Sequence, residues 1–275
     1  MPATLDPQRA AILRLLDDDD VVTVRLVLHK LAETETAARL RELHSMAEGL
    51  AAERLHTLLV EMHGHSADTA FAGLCATFGE HGDLEEASWA LAAVFEPGAD
   101  FSAAREQLDA WGAALAERLT GKLDKAERVR VMAEYLGREQ RLRGNDDKYY
   151  SVGNSLLPLV IETRLGIPIS LSLVYMLAGQ RAGMTVEGVG LPGHFLARHE
   201  DVFFDPFHGG RRISVEECTA LMEQQNLALT PLHLAPTTSR QMLIRMLTNL
   251  YYVTDQVDPP QAAKVGEWIE MLREE

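Results

Sequence analysis

Between Pro7 and Pro97 the chain contains no proline. That gap most constrains what the amino-terminal part can become. Proline removes a backbone donor and clashes with the preceding helical turn, so a long proline-free stretch is free to be helical throughout. The apolar spacing agrees. Ile12, Leu13, Leu15 and Leu16 give one face, and Val24, Leu28 and Leu31 give the next. Asp6-Pro7 opens the first helix, with Asp as N-cap and Pro at the first helical position. Asp17 to Asp20 break it and place negative charge where the following helix, Val21 to Leu31, has its partially positive amino end. The expectation is helices only from Asp6 to about Glu139.

Charge and proline usage both change further along. Residues 1–120 hold 21 acids against 9 bases, whereas the remainder holds 20 against 17. Most prolines lie after residue 150. A boundary near Thr120-Gly121 follows. The leucine-rich helix, Asp-rich turn and Val-x-Val-Arg-x-x-Leu run resemble one HEAT-type repeat. Two more helical pairs can be drawn near 34–63 and 67–96, which implies a HEAT-like helical array. Further helices are expected from about Asp100 to Leu119, with Leu108, Trp111 and Leu115 on one face, and from Lys122 to about Glu139.

After Arg143-Gly144-Asn145 the pattern becomes mixed. Tyr149-Tyr150 and Asn154-Ser155 belong to an ordered loop, followed by a short helix, Leu156 to Thr163. Gly166-Ile167-Pro168 stops that helix. Ile169 to Ala182 is apolar almost all round, as a buried helix is, and Gly183 suits its left-handed end. Three extended runs follow: Val186 to Gly190, His194 to His199 and Val202 to Asp205. Glu200-Asp201 is a tight polar link that makes the last two a hairpin. Helices near Val215–Gln225, Ser239–Asp255 and Pro260–Arg273 complete the chain, the last two as an amphipathic pair. The fold class is therefore α+β and helix-dominated, divided as a helical region 1–120, a core 121–236 and a C-terminal pair 237–275.

Several function classes are set aside by composition. A net charge of −15 repels phosphate backbones, so no nucleic-acid partner is expected. Two cysteines, Cys75 and Cys218, cannot build a disulfide scaffold or a multi-cysteine zinc site. MPATLDPQRA lacks the basic-then-apolar pattern of a secretion signal. The longest apolar stretch, Ile167 to Gly179, is too short to span a bilayer. No membrane partner is expected, and the expected address is the cytoplasm.

The middle segment carries chemistry-bearing text: RGN at 143–145, YY at 149–150, NS at 154–155, GIPISLSLVY at 166–175, GVGLPGHFLAR at 188–198 and DPFHGG at 205–210. Together these motifs resemble the transglutaminase-like superfamily, and more closely its bacterial SirB-type members. The resemblance spans roughly residues 85–240, since ALAAVFEPGADF at 90–101 is similar to the family's helical lead-in. It implies a Cys-His-Asp site, with Cys at the amino end of the buried helix, His opening a strand and Asp on the neighbouring strand. His194 takes the His place and Asp205 the Asp place. No thiol stands between 166 and 174. The occupants there are Pro168, Ser170 and Ser172, so the resemblance argues against classical transglutaminase or thiol-protease activity.

Two readings of Ser170 stay open: a nucleophile facing His194, or a first-turn serine satisfying an orphan backbone amide. Tyr149, Tyr150, Asn154 and Gly193 are the candidate cleft-lining residues. His63-Gly64-His65, with His56 and His81 near in sequence, reads as a loop between helices. Asp17–Asp20 lacks the spacing of a calcium loop, and Gly188-x-Gly190 lacks the dinucleotide fingerprint. No metal and no cofactor are expected. Function divides between a non-catalytic transglutaminase-like binding or regulatory module, a pseudoenzyme whose ligand is a protein, a peptide or a small molecule, and a Ser-His-Asp hydrolase or acyl transferase using Ser170, His194 and Asp205.

Overall fold

The computed structural model describes residues 6–274. The first five residues of the stretch read for a secretion signal, and the last residue of the C-terminal region, lie outside them. The described part is 66% helical. It groups into two compact units: residues up to Phe71 with Ala93–Ala99, and Ala72–Ala92 with the residues from Asp100 on.

The first unit starts with α1 (Pro7–Leu16), α2 (Val21–Thr34) and α3 (Ala37–His44). Local chemistry sets their ends. The Asp6 side chain accepts from Gln8 N ahead of Pro7, and Asp20 accepts from Val22 N and Thr23 N. The Arg54 guanidinium donates to Leu16 O at 2.6 Å and Asp18 O at 2.9 Å, which satisfies carbonyls left over where α1 ends. Leu16, Leu31, Leu40, Leu43, Leu55 and Leu59 form the core of this unit.

One expectation fails here. The helix α4 runs unbroken from Gly49 to Thr77, so His63-Gly64-His65 lies inside a helix and not in a loop. The next helix, α5, is Leu84–Phe95. A glycine inside a helix costs only about 1 kcal/mol relative to alanine, and without a proline nothing stops the helix at Gly64. The pairs drawn at 34–63 and 67–96 therefore do not describe these helices.

The second unit is built around a buried helix. Its elements are α6 (Ser102–Arg118), α7 (Lys125–Met132), β1 (Arg143–Gly144), α8 (Leu157–Thr163), β2 (Leu165–Gly166), α9 (Pro168–Arg181), β3 (Glu187–Leu191), β4 (His194–His199), β5 (Val202–Asp205), β6 (Arg211–Arg212), α10 (Val215–Gln224), α11 (Ser239–Thr254) and α12 (Pro259–Arg273). α9 contacts α6 and α8 as well as β3 and β4. Ile169 to Tyr175 and Ala178 are buried along it. Gly112 of α6 allows close approach, since a Cβ there would fall 2.2 Å from the Arg181 Cβ. Arg181 itself is gripped by Glu85 at 2.7 Å and Asp109 at 2.6 Å.

The sheet is antiparallel in the order β3-β4-β5-β6, with Leu191 opposite His194 and Ala197 opposite Phe204. A parallel pair of two-residue strands joins β1 to β2. α11 and α12 pack on each other as the expected closing pair. After α7 the chain continues as a π-helix, Ala133–Glu139. Within it a Gly137 Cβ would fall 2.1 Å from the Gly209 carbonyl oxygen. The wide turn thus brings backbone against the loop that follows β5, a placement only glycine permits.

Candidate functional site

Register explains how two residues eleven apart meet. Extended by one residue, the β4–β5 pairing places Asp205 opposite Leu196. His194, two residues from Leu196, projects on the same face and reaches Asp205 diagonally. His194 Nε2 donates to Asp205 Oδ2 at 2.8 Å. Asp205 is 2% exposed. Its Oδ1 also accepts from Phe207 N at 3.0 Å and His208 N at 3.4 Å, because Asp205 N-caps a 3₁₀ turn, Pro206–His208.

A third side chain joins them. His208 Nδ1 donates to the same Asp205 Oδ2 at 2.7 Å. Burial pushes the Asp205 carboxyl up, but hydrogen bonds and positive charge from His194 and His208 outweigh it and hold it below the usual range. An ionised carboxylate only accepts, so the ring nitrogen it meets on His194, Nε2, carries the proton. The buried Tyr175 ring lies tilted against Phe204 at 5.9 Å between centroids, and burial together with the Asp205 charge pushes its phenol up. His208 was missed in the sequence although it lies in the DPFHGG run. The available signal was its i,i+3 position after an N-capping Asp. Among the described residues, His194, Asp205 and His208 are the group whose donor atoms, within 4.8 Å of one another, could hold a metal ion.

A cavity of about 220 Å³ opens beside His194. Tyr149, Pro168, Ile169, Gly193, Arg245 and Asn249 line it. Gly193 sits in the β3–β4 turn at φ +74°, a conformation other residues rarely adopt. Tyr150 and Asn154 fall outside the lining, contrary to expectation. Tyr150 is 80% exposed and packs edge-on against Tyr149. The Asn154 amide is spent inside its own loop: it donates to Lys148 O at 2.6 Å and Tyr149 O at 3.0 Å and accepts from Asn145 at 2.8 Å. Asn154 therefore shapes the loop that presents Tyr149.

Ser170 is placed differently. It is 1% exposed. Its hydroxyl donates to Asn154 O at 2.6 Å and accepts from Ile167 N at 3.1 Å. No hydrogen bond joins Ser170 to His194 among the described residues. Ser172 is fully buried and its hydroxyl is unpaired. Pro168 and Ile169, not a serine, face the cavity from the amino end of α9. The two thiols are elsewhere. Cys218 packs with Val189, Leu196 and Met222, and burial pushes its thiol up; burial pushes the Cys75 thiol up to about 12. Neither is a ready thiolate.

A sequence profile of the transglutaminase-like superfamily matches residues 102–248, which includes α9, β4 and β5. The chain belongs to that superfamily. This transglutaminase-like protein is 35% identical over 142 residues to a UPF0162 protein of Xylella fastidiosa, covering 48% of this chain and 50% of the relative. A UPF0162 protein of Pseudomonas aeruginosa is 29% identical over 185 residues, covering 66% and 67%. Mouse F-box only protein 21 is 30% identical over 122 residues, covering 40% of this chain and 19% of that one. The chain spans about half the length of the Xylella relatives it matches. No solved structure matches it. Among the described residues no helix is long and apolar enough to cross a membrane.

Proposed function

We propose that this transglutaminase-like protein is a non-catalytic binding or regulatory module that lacks the superfamily's cysteine. Its ligand, a protein, a peptide or a small molecule, docks in the cavity beside His194. One observation carries the reading: the Ser170 hydroxyl is committed to Asn154 O and Ile167 N, so the end of α9 nearest His194 offers Pro168 and Ile169 instead of a nucleophile. A serine alcohol needs a base in hydrogen-bond contact to attack a carbonyl. Here the imidazole has its carboxylate, and among the described residues no serine hydroxyl is hydrogen-bonded to it.

A second reading keeps support from the His194–Asp205 bond, which is the arrangement a Ser-His-Asp hydrolase or acyl transferase would use. The SirB-type assignment, a bacterial source, a cytoplasmic address and a HEAT-like character for residues 1–120 belong to the same proposal. So does the division into 1–120, 121–236 and 237–275. The HEAT-like part rests on the α1–α2 pair and its Asp17–Asp20 turn, the bacterial part on the Xylella and Pseudomonas relatives.

The test is hydrolysis of an activated ester by wild type, Ser170→Ala and His194→Ala. The proposal expects equal background rates in all three. Hydrolysis lost in both variants, with folding intact, would establish the hydrolase instead.

A further inference from the structure

Arg245 was not singled out in the sequence, where it reads as one more charge on an amphipathic helix. In the fold it is half-buried. α11 buries Met242, Leu243, Met246 and Leu247, and Arg245 reaches from it to the carbonyls that flank the β3–β4 turn. Its Nη2 donates to Leu191 O at 2.7 Å and to His194 O at 2.6 Å. Its guanidinium carbon lies 5.2 Å from the Phe195 ring centroid. It lines the same cavity as His194, Tyr149 and Asn249.

No acidic side chain among the described residues pairs with it. The carbonyls it holds are neutral, and burial drives its pKa below the ordinary arginine value, with Tyr149 acting weakly in the opposite sense. Arg164 shares this lack of an acid and instead meets Gln107 and the Trp111 ring, whereas two other arginines are paired. Arg181 has Glu85 and Asp109, and Arg198 has Glu187 at 2.9 Å. In a chain with a net charge of −15, acids are not scarce. A guanidinium taken out of water without a counter-charge is costly, and it is retained where something else supplies that charge. Among the described residues its Nη1 and Nε have no acceptor, so only one arm of the fork that suits a planar oxyanion is spent on the protein.

We propose that the cavity is a carboxylate-binding subsite in which Arg245 supplies the counter-charge to an acidic ligand group docked against His194. This rests on reading the protein as a binding module, and it names the chemistry of what is bound. Pro168 and Ile169 give the lining an apolar part. Tyr149 and Asn249 supply neutral hydrogen-bonding groups at the rim. A small acid or the carboxyl end of a peptide meets those requirements equally.

The experiment is an NMR titration of the full chain, following the backbone amides of Gly193 and His194. The probes are N-acetylglycine, its neutral analogue N-acetylglycinamide, and triglycine with a free or an amidated carboxyl end. Saturable shifts with the free acids, and at least about tenfold weaker binding of both amides, are expected. Triglycine binding more tightly than N-acetylglycine identifies a peptide end, and the reverse identifies a small acid; either order supports the site. Arg245→Met is expected to lose the preference for the acids. Should that variant disturb the turn, the acid-against-amide comparison on wild type decides alone. Equal binding of acid and amide, or no saturable shift with any acid, would overturn the subsite. Ester hydrolysis that requires Ser170, seen together with acid-selective binding, would instead remove the non-catalytic reading and leave the subsite standing.

Discussion

Two corners of the same core carry polar side chains, and they treat them in opposite ways. At the amino end of α9, Ser170 turns inward and its hydroxyl is consumed by backbone atoms of its own neighbourhood. At the β4–β5 corner, His194, Asp205 and His208 form a chain whose carboxylate is 2% exposed while the His208 side chain is 59% exposed and His194 lines a cavity. The first corner is closed chemistry that ends a loop and starts a helix. The second is anchored from below and open from above. A buried polar group whose bonds are all local stabilises the fold, whereas a group braced by a buried partner and left with an unspent atom is placed to meet a ligand.

The largest expected effect comes from removing the anchor of the open corner. Asp205→Ala leaves buried donors from Phe207 and His194 without an acceptor, and we expect a loss of about 3 kcal/mol in urea unfolding. The pH dependence has a definite sign. Because the folded pKa lies below the unfolded value near ~3.9, the contribution is complete above that value. It is lost as pH falls through the lower, folded value. The gap in stability between wild type and Asp205→Asn should therefore shrink only in acid. A gap that stays constant into acid would show that Asp205 is not held below the usual range.

The next effect tests whether the open corner depends on its support. Gly137→Ala would place a methyl 2.1 Å from the Gly209 carbonyl oxygen. We expect about 2–3 kcal/mol of destabilisation and weaker contact between His208 and Asp205. His208 proton resonances left unchanged in the variant would separate the π-helix from the site.

How legible these corners were depends on what kind of signal each carries. The hairpin was readable because alternation and a two-residue polar link fix a register, and register brings His194 and Asp205 to one face. The N-cap at Asp6, the acidic break before α2 and the end of α9 at Gly183 were readable for similar local reasons. β1, β2 and β6 were not, since two residues have no period. The π-helix was hidden because Leu136 continues the spacing of Val129 and Met132 in α7 as an ordinary helix would. α4 was divided in the reading because Gly64 and its flanking histidines look like punctuation. Arg245 was hidden because partnership is a property of packing, which no charge count reveals.

Smaller effects separate the corners further. Ser170→Ala should cost about 1–2 kcal/mol, from an unsatisfied Ile167 amide and Asn154 carbonyl, and should leave acid binding unchanged. His194→Ala should cost about as much, because the buried Asp205 carboxylate loses a donor, but unlike Ser170→Ala it should abolish the acid-selective shifts. Weaker acid binding in Ser170→Ala would mean the corners are coupled. Least of all, His208→Ala should change stability by no more than about 0.5–1 kcal/mol, because an exposed imidazole competes with water for its bond. A loss as large as that of Asp205→Ala would make His208 part of the anchor.

The central claim is that Ser170 belongs to the scaffold and not to the chemistry of the cleft. Its most direct test is a serine-directed fluorophosphonate added to the folded protein, read by intact mass and peptide mapping. The expected result is an unmodified protein. A single adduct mapping to Ser170 in wild type and absent from His194→Ala would contradict it.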